Sequence, residues 1–140
     1  MELALSLAQI AGKAGDVPVG AVVVKDGKVI ASAYNKKNKK RNAIMHAEII
    51  AINKACKKLK DFRCEDCDIY VTFEPCVMCY GAILSARFKN LYFGAYDRRF
   101  GTVKQLENLP FNHKINVVGG IMENECALVL TQFFEDLRRN

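Results

Sequence analysis

The sequence predicts an α/β fold, with one mixed sheet of about five strands between helices on its two faces. Three observations predict it. Segments of helical periodicity alternate along the chain with short valine-rich or alternating apolar segments. One tight hairpin signal, Asp26-Gly27, joins two of the strands, while helices separate most of the others and call for right-handed crossovers. Hydrophobic residues make up 51% of a 140-residue chain, enough to fill a core against a sheet.

The elements follow in order. The opening MELALSLAQIAGKAG places Leu3, Leu7, Ile10 and Ala14 at helical spacing, with Glu2, Ser6, Gln9 and Lys13 opposite. It has the apolar look of a signal peptide, but Glu2 stands where a positive n-region belongs. The reading is therefore an amphipathic helix ending near Gly12 to Gly15. Gly20 to Lys25 is a valine-rich strand, and Lys28 to Tyr34 returns beside it after the Asp26-Gly27 turn. The polar loop NKKNKKRNA follows, from Asn35 to Ala43.

A helix is expected from Met45 to Leu59, with Ile49, Ile52, Cys56 and Leu59 inward and Lys54, Lys57 and Lys58 wet. Asp68 to Phe73 alternates as a strand. Pro75 closes it and suits the start of a helix over Cys76 to Arg87. Leu91 to Gly94 and Ile115 to Val118 are short strands, with residues 95–112 read as irregular between them. The last helix, Glu123 to Arg138, carries Leu130, Phe133, Phe134 and Leu137 as a core stripe. No linker or repeat interrupts the chain, so residues 1–140 read as one domain.

Composition excludes some classes of function. The longest apolar run, VPVGAVVV, falls far short of the ~20 residues of a membrane helix. A chain with this core needs no disulfide framework, so its six cysteines read as reduced and the protein as cytoplasmic. A net charge of +6 suits a polyanionic partner such as nucleic acid.

The chemistry concentrates in a few residues. The stretch CEDCDIYVTFEPCVMC holds C-x-x-C twice, as Cys64/Cys67 and Cys76/Cys79. Four cysteines in that spacing could close one structural zinc site, and a single pair could be a redox switch. Yet Cys76 and Cys79 lie at a helix start, where the dipole favours thiolates. His46-Ala47-Glu48 lies at another helix start. An H-x-E followed by P-C-x-x-C is the pattern of a catalytic zinc site with three protein ligands and one position left for water.

On these motifs the chain resembles the bacterial tRNA-specific adenosine deaminases of the zinc-dependent cytidine deaminase-like superfamily. The resemblance runs through DVPVGAVVV, Asn35, HAEI, VTFEPCVMCYGAI, FGAYD and the FF of the last helix. It implies a three-layer α/β/α cytidine deaminase-like fold, with one Zn²⁺ per subunit on His46, Cys76 and Cys79. It also implies attack of zinc-bound hydroxide at C6 of a tRNA wobble adenosine, with Glu48 carrying protons and inosine as product.

Substrate contacts are implied for Asn35, Ala47, Pro75, Asp97 and Phe134. Asn35 also suits a turn, and Asp97 a loop cap. Lys36, Lys37, Lys39, Lys40, Arg41, Arg98, Arg99 and Arg138 are candidates for the RNA backbone, although charge runs are often solvated faces. A homodimer is implied, with Tyr80, Ala82, Ile83 and Leu84 as candidate contacts. Two segments depart from the family. Asn42-Ala43-Ile44-Met45 replaces a D-P-T-A, and the segment after Asp97 is shorter and lacks an A-A-G-S run. The rival readings are a deaminase of free guanine or cytosine and a non-catalytic zinc ribbon on Cys64, Cys67, Cys76 and Cys79. The resemblance leaves Cys64 and Cys67 as reduced, metal-free and partly buried.

Overall fold

The hairpin signal is realised as read. Strands β1 (Gly20–Lys25) and β2 (Lys28–Tyr34) pair antiparallel across Asp26 and Gly27, whose φ values are 50° and 75°. Two successive positive φ values are what a two-residue turn between twisted strands requires. The structure, a computed structural model, describes residues 1–140.

Strands β3 (Cys67–Phe73), β4 (Asn90–Ala95) and β5 (Asn116–Val118) complete a sheet of order β2-β1-β3-β4-β5. β1 is antiparallel to both neighbours, while β3, β4 and β5 pair in parallel. Four strands therefore point one way. The carboxyl ends of β2, β3 and β4 lie along one edge, and the chain leaves them at Asn35, Glu74 and Tyr96.

Helices cover both faces. α1 (Glu2–Lys13) and α5 (Glu123–Arg139) touch each other and the sheet. α2 (Ala47–Leu59), α3 (Val77–Ser85) and the short α4 (Thr102–Leu106) form a second set. The main core joins Val23, Ile69, Val71, Leu91 and Phe93 of the sheet to Ala51 and Ile52 of α2 and Ile83 of α3. α4 lies inside the segment read as irregular, and Val103 docks it on that core.

The buried helix faces differ from the expected ones. On α1 the residues inside are Ala4, Ala8 and Ala11, whereas Leu3 and Ile10 are 44% and 47% exposed. The cause is close approach. A Cβ at Gly20 would collide with the Ala4 carbonyl oxygen, so the helix lies against β1 with room only for methyl groups. α2 behaves similarly: Ala47, Ala51 and Ala55 are wholly buried, and Ile49, Cys56 and Leu59 only partly. On α5 Cys126 and Leu130 are buried but Phe134 and Leu137 are exposed, so the expected core stripe holds over its first part only.

Two further corrections concern single residues. Tyr80, Ile83 and Leu84 are buried in the chain's own core, which removes them as candidate contacts for a second copy; Ala82 is half-buried. Cys64 and Cys67 are fully rather than partly buried, and belong to the same core.

Candidate active site

Segments leaving β2, β3 and β4 carry Asn35, Cys76 and Asp97 to one edge of the sheet. Open α/β sheets hold ligands at the carboxyl ends of their strands. Two helices also begin there. His46 is the N-cap of α2 and Cys76 the N-cap of α3, both with extended backbone. Cys76 therefore precedes its helix instead of opening it. An N-cap side chain folds over the first turn towards the third helical residue, and here that residue is Cys79.

His46 Nδ1 lies 3.7 Å from Cys76 Sγ and 3.5 Å from Cys79 Sγ. The three potential ligand atoms all lie within 4.8 Å of one another. In a tetrahedral zinc site, Zn–N of about 2.0 Å and Zn–S of about 2.3 Å place N and S about 3.5 Å apart. The donor set fits zinc in spacing and softness, and three ligands leave one position open.

The electrostatics are those of a shared, partly dry site. A hydrogen bond from the Cys79 thiol, aided by His46, lowers Cys76 to about 4. The same bond to Cys76, together with burial, pushes Cys79 up. The bond to Cys76 also raises His46, against the opposing effect of burial. Glu48, on the first turn of α2, is 4% exposed, and burial pushes its carboxyl up to about 7. Its backbone N–H and the nearby His46 pull the other way without overcoming burial.

His46, Glu48 and Cys76 border a cavity of about 750 Å³, and Cys79 is fully buried beside them. Asn35, Ala47, Asp97 and Phe134 of the expected substrate contacts line it, as do Lys37, Arg98, Arg99 and Arg138 of the expected backbone contacts. Pro75 is fully buried and lies outside the cavity wall. Lys36, Lys39, Lys40 and Arg41 also lie outside the wall, and the Lys36 ammonium sits over the Tyr34 ring.

Asn35 is partly engaged. Its Nδ2 donates to the Val17 carbonyl at 3.1 Å, and its Oδ1 accepts from Lys37 N–H at 3.2 Å. An amide has two donors and two acceptor lone pairs, so one of each is left for a base edge. Asp97 likewise makes the turn of its own loop by accepting from Arg99 N–H at 3.0 Å.

Two buried carboxylates escaped the sequence reading. Glu74, 4% exposed, accepts from Asp97 N–H on Oε1 and Val103 N–H on Oε2, both at 2.9 Å. Asp16, 1% exposed, accepts from Asn38 N–H at 2.7 Å and Lys39 N–H at 3.2 Å. Each fixes one rim loop of the cavity. Their partners lie 22 to 29 residues away, so no local pattern could have announced them.

The CEDC pair stands apart from this cluster. Cys64 faces Cys56, with their sulfurs 3.8 Å apart, and neither Cys64 nor Cys67 joins the ligand group. All six cysteines are free thiols.

The model of the MafB19-like deaminase family matches residues 1–138. A tRNA-specific adenosine deaminase of Rickettsia bellii is 43% identical, over 99% of this chain and 99% of its own. One from Bacillus subtilis is 42% identical, over 99% of this chain and 89% of its own. A solved structure from work on A-to-I editing by tRNA:A34 deaminases at the wobble position of transfer RNA superposes with a TM-score of 0.90. It is 42% identical and covers 93% of this chain and 97% of its own.

Proposed function

The chain belongs to the MafB19-like deaminase family and to the tRNA-specific adenosine deaminases, and from that premise we propose how its residues divide the work. It is an enzyme, converting adenosine to inosine by hydrolysis at the wobble position of a tRNA anticodon. Residues 1–140 serve as one deaminase domain.

His46, Cys76 and Cys79 would hold one zinc ion, which supplies a hydrolytic nucleophile at neutral pH by lowering the pKa of water. Glu48 moves the protons. A carboxyl pushed up to about 7 gains and loses a proton readily near neutrality, the condition for efficient general acid–base work. It takes a proton from water as the water oxygen bonds to C6 and delivers it to N1 of the adenine; it then passes the second water proton to the amine, so that the C6–N bond breaks, ammonia leaves and a C6 carbonyl remains. Asn35 and Ala47 border the base, with the free amide positions of Asn35 meeting its edge. Asp97 shapes the loop beside it. Lys37, Arg98, Arg99 and Arg138 meet the phosphates on either side, and the target base is extruded from a loop already unpaired.

The observation that carries this reading is the meeting of three ligand atoms and a buried carboxyl at the wall of a cavity with exposed cations around it. A tRNA substrate supports a cytoplasmic location. No helix is long and apolar enough to cross a membrane. The resemblance to the family supports a homodimer, which light scattering of the purified chain would check.

The test is incubation with an anticodon stem-loop bearing adenosine at the wobble position, beside free guanine and free cytosine. Inosine from the wild type, lost in Glu48→Ala with zinc retained, is the expected result. Ammonia released only from a free base would overturn the reading.

A further inference from the structure

The loop after β4 is built before any substrate arrives. Glu74 bonds the N–H groups of Asp97 and Val103 and so clamps both ends of the loop. Within it, Gly101 N–H donates to the Asp97 carbonyl at 2.9 Å, and Arg99 N–H to Asp97 Oδ1. The Gln105 side-chain amide donates to the Phe100 carbonyl. These bonds brace the loop at Asp97, Arg99, Phe100, Gly101 and Val103.

The loop presents two aromatic rings outward at the cavity rim. Tyr96 is 46% exposed and Phe100 60% exposed, and both line the same cavity as His46 and Glu48. Each is held from one side. Tyr96 meets Phe93 edge to face, with centroids 5.0 Å apart, and a Cβ at Gly119 would strike its hydroxyl oxygen. Phe100 lies under the Arg99 guanidinium, 5.1 Å from the ring centroid, and Arg99 is itself drawn to Asp97. Two half-exposed rings side by side at the mouth of a cavity are a binding feature unless something covers them.

The surrounding charge says what covers them. The acids that line the cavity, Glu48, Glu74 and Asp97, are each at most 9% exposed, whereas Lys37, Arg98, Arg99 and Arg138 are all exposed. The rim is therefore positive where it meets solvent, which suits phosphates. Aromatic rings interleaved with cations form a platform for unpaired bases, because every base offers a π-face. Extruding one base from an anticodon loop leaves its neighbours without a stacking partner.

We propose that Tyr96 and Phe100 are the stacking platform for the unpaired bases flanking the target adenosine, with Phe100 capped from behind by Arg99. This rests on the reading of the cavity as an RNA site. Binding and turnover are therefore measured separately, with turnover of the stem-loop by the wild type checking that reading.

The experiment measures Kd for the stem-loop by anisotropy, with the wild type, Tyr96→Ala, Phe100→Ala and the conservative Tyr96→Phe and Phe100→Trp. Each is tested against the intact loop and loops made abasic at one flanking position. Each alanine change should weaken binding about tenfold, and the conservative changes should restore it. An abasic nucleotide opposite the lost ring should cost little more in the alanine variant, because the partners of one contact are not additive. Fully additive losses, or unchanged affinity in both alanine variants, would overturn the proposal. So would a shift from dimer to monomer in light scattering, which would make the rings a contact between copies.

Discussion

Glu74→Gln isolates what one buried carboxylate does for the rim of the site. Glutamine keeps the shape and one acceptor oxygen but puts an amide NH₂ where the second oxygen stood. One of two N–H groups now bonded at 2.9 Å, Asp97 or Val103, then faces a donor. A hydrogen bond to a charged group contributes about 1.5–3 kcal/mol, and a buried N–H left unmatched costs about 1–3 kcal/mol. These overlap in one event, so a loss of about 2–4 kcal/mol is expected. At about 2.1 cal/mol/K per residue, this chain unfolds with an entropy of about 0.3 kcal/mol/K. The zinc-loaded variant should thus melt about 7–13 °C below the wild type in calorimetry. Its zinc content should stay at one per chain. KM for the stem-loop should rise, because Arg98, Arg99 and Phe100 ride on the released loop. Glu74→Asp, which retains two acceptors on a shorter arm, should fall between. A Glu74→Gln protein melting within about 2 °C of the wild type, with unchanged KM, would refute the clamp.

Three other outcomes are expected. Asp16→Asn leaves one of the Asn38 and Lys39 N–H groups without its acceptor, so KM for RNA should rise several-fold and Tm fall by about 3–7 °C in calorimetry, with zinc retained. Cys64→Ser with Cys67→Ser should retain zinc by elemental analysis. It should still cost about 1–3 kcal/mol per site in urea unfolding, since each hydroxyl enters a fully buried apolar site. In chelator-treated protein, Cys76 lowered to about 4 is already a thiolate across pH 6–8. Its alkylation rate, followed by mass spectrometry, should be nearly flat there, where an ordinary thiol would gain about a hundredfold. Added zinc should protect it.

The candidate site was legible because the groups that the fold brings together there come in short local patterns. His46 and Glu48 are two apart, and Cys76 and Cys79 three apart, so composition and spacing expose them before any fold is known. The hairpin was legible for the same reason: Asp26-Gly27 encodes its own turn. What failed depends on distant partners. The buried face of α1 carries alanine because β1 lies too close for leucine, as the crowding at Gly20 by Ala4 makes plain. A periodicity argument ranks residues by hydrophobicity and cannot see that spacing. Glu74 and Asp16 look like ordinary acids in sequence, and become clamps only when loops more than twenty residues away reach them. Cys64 and Cys67 share their spacing with Cys76 and Cys79, but lie where the sheet is dry and no histidine approaches.

The same comparison assigns roles among the acids around the cavity. Glu74, Asp97 and Asp16 each accept hydrogen bonds from main-chain N–H groups of a rim loop. Such bonds tie the carboxylate oxygens to the loop, which suits a clamp. Glu48 is held differently. Burial is the largest influence on it and drives it towards the neutral form, against its own backbone N–H and the nearby His46. Its two protonation states are therefore close in free energy, while its position on the first turn of α2 is fixed by the helix. A group that must accept and release a proton in one turnover needs that balance. Sequence pattern nominates Glu48 by its place after His46. The structure adds that Glu48 is buried on the cavity wall with His46 and Cys76, whereas the carboxylates of Glu74, Asp97 and Asp16 are taken up by the rim loops.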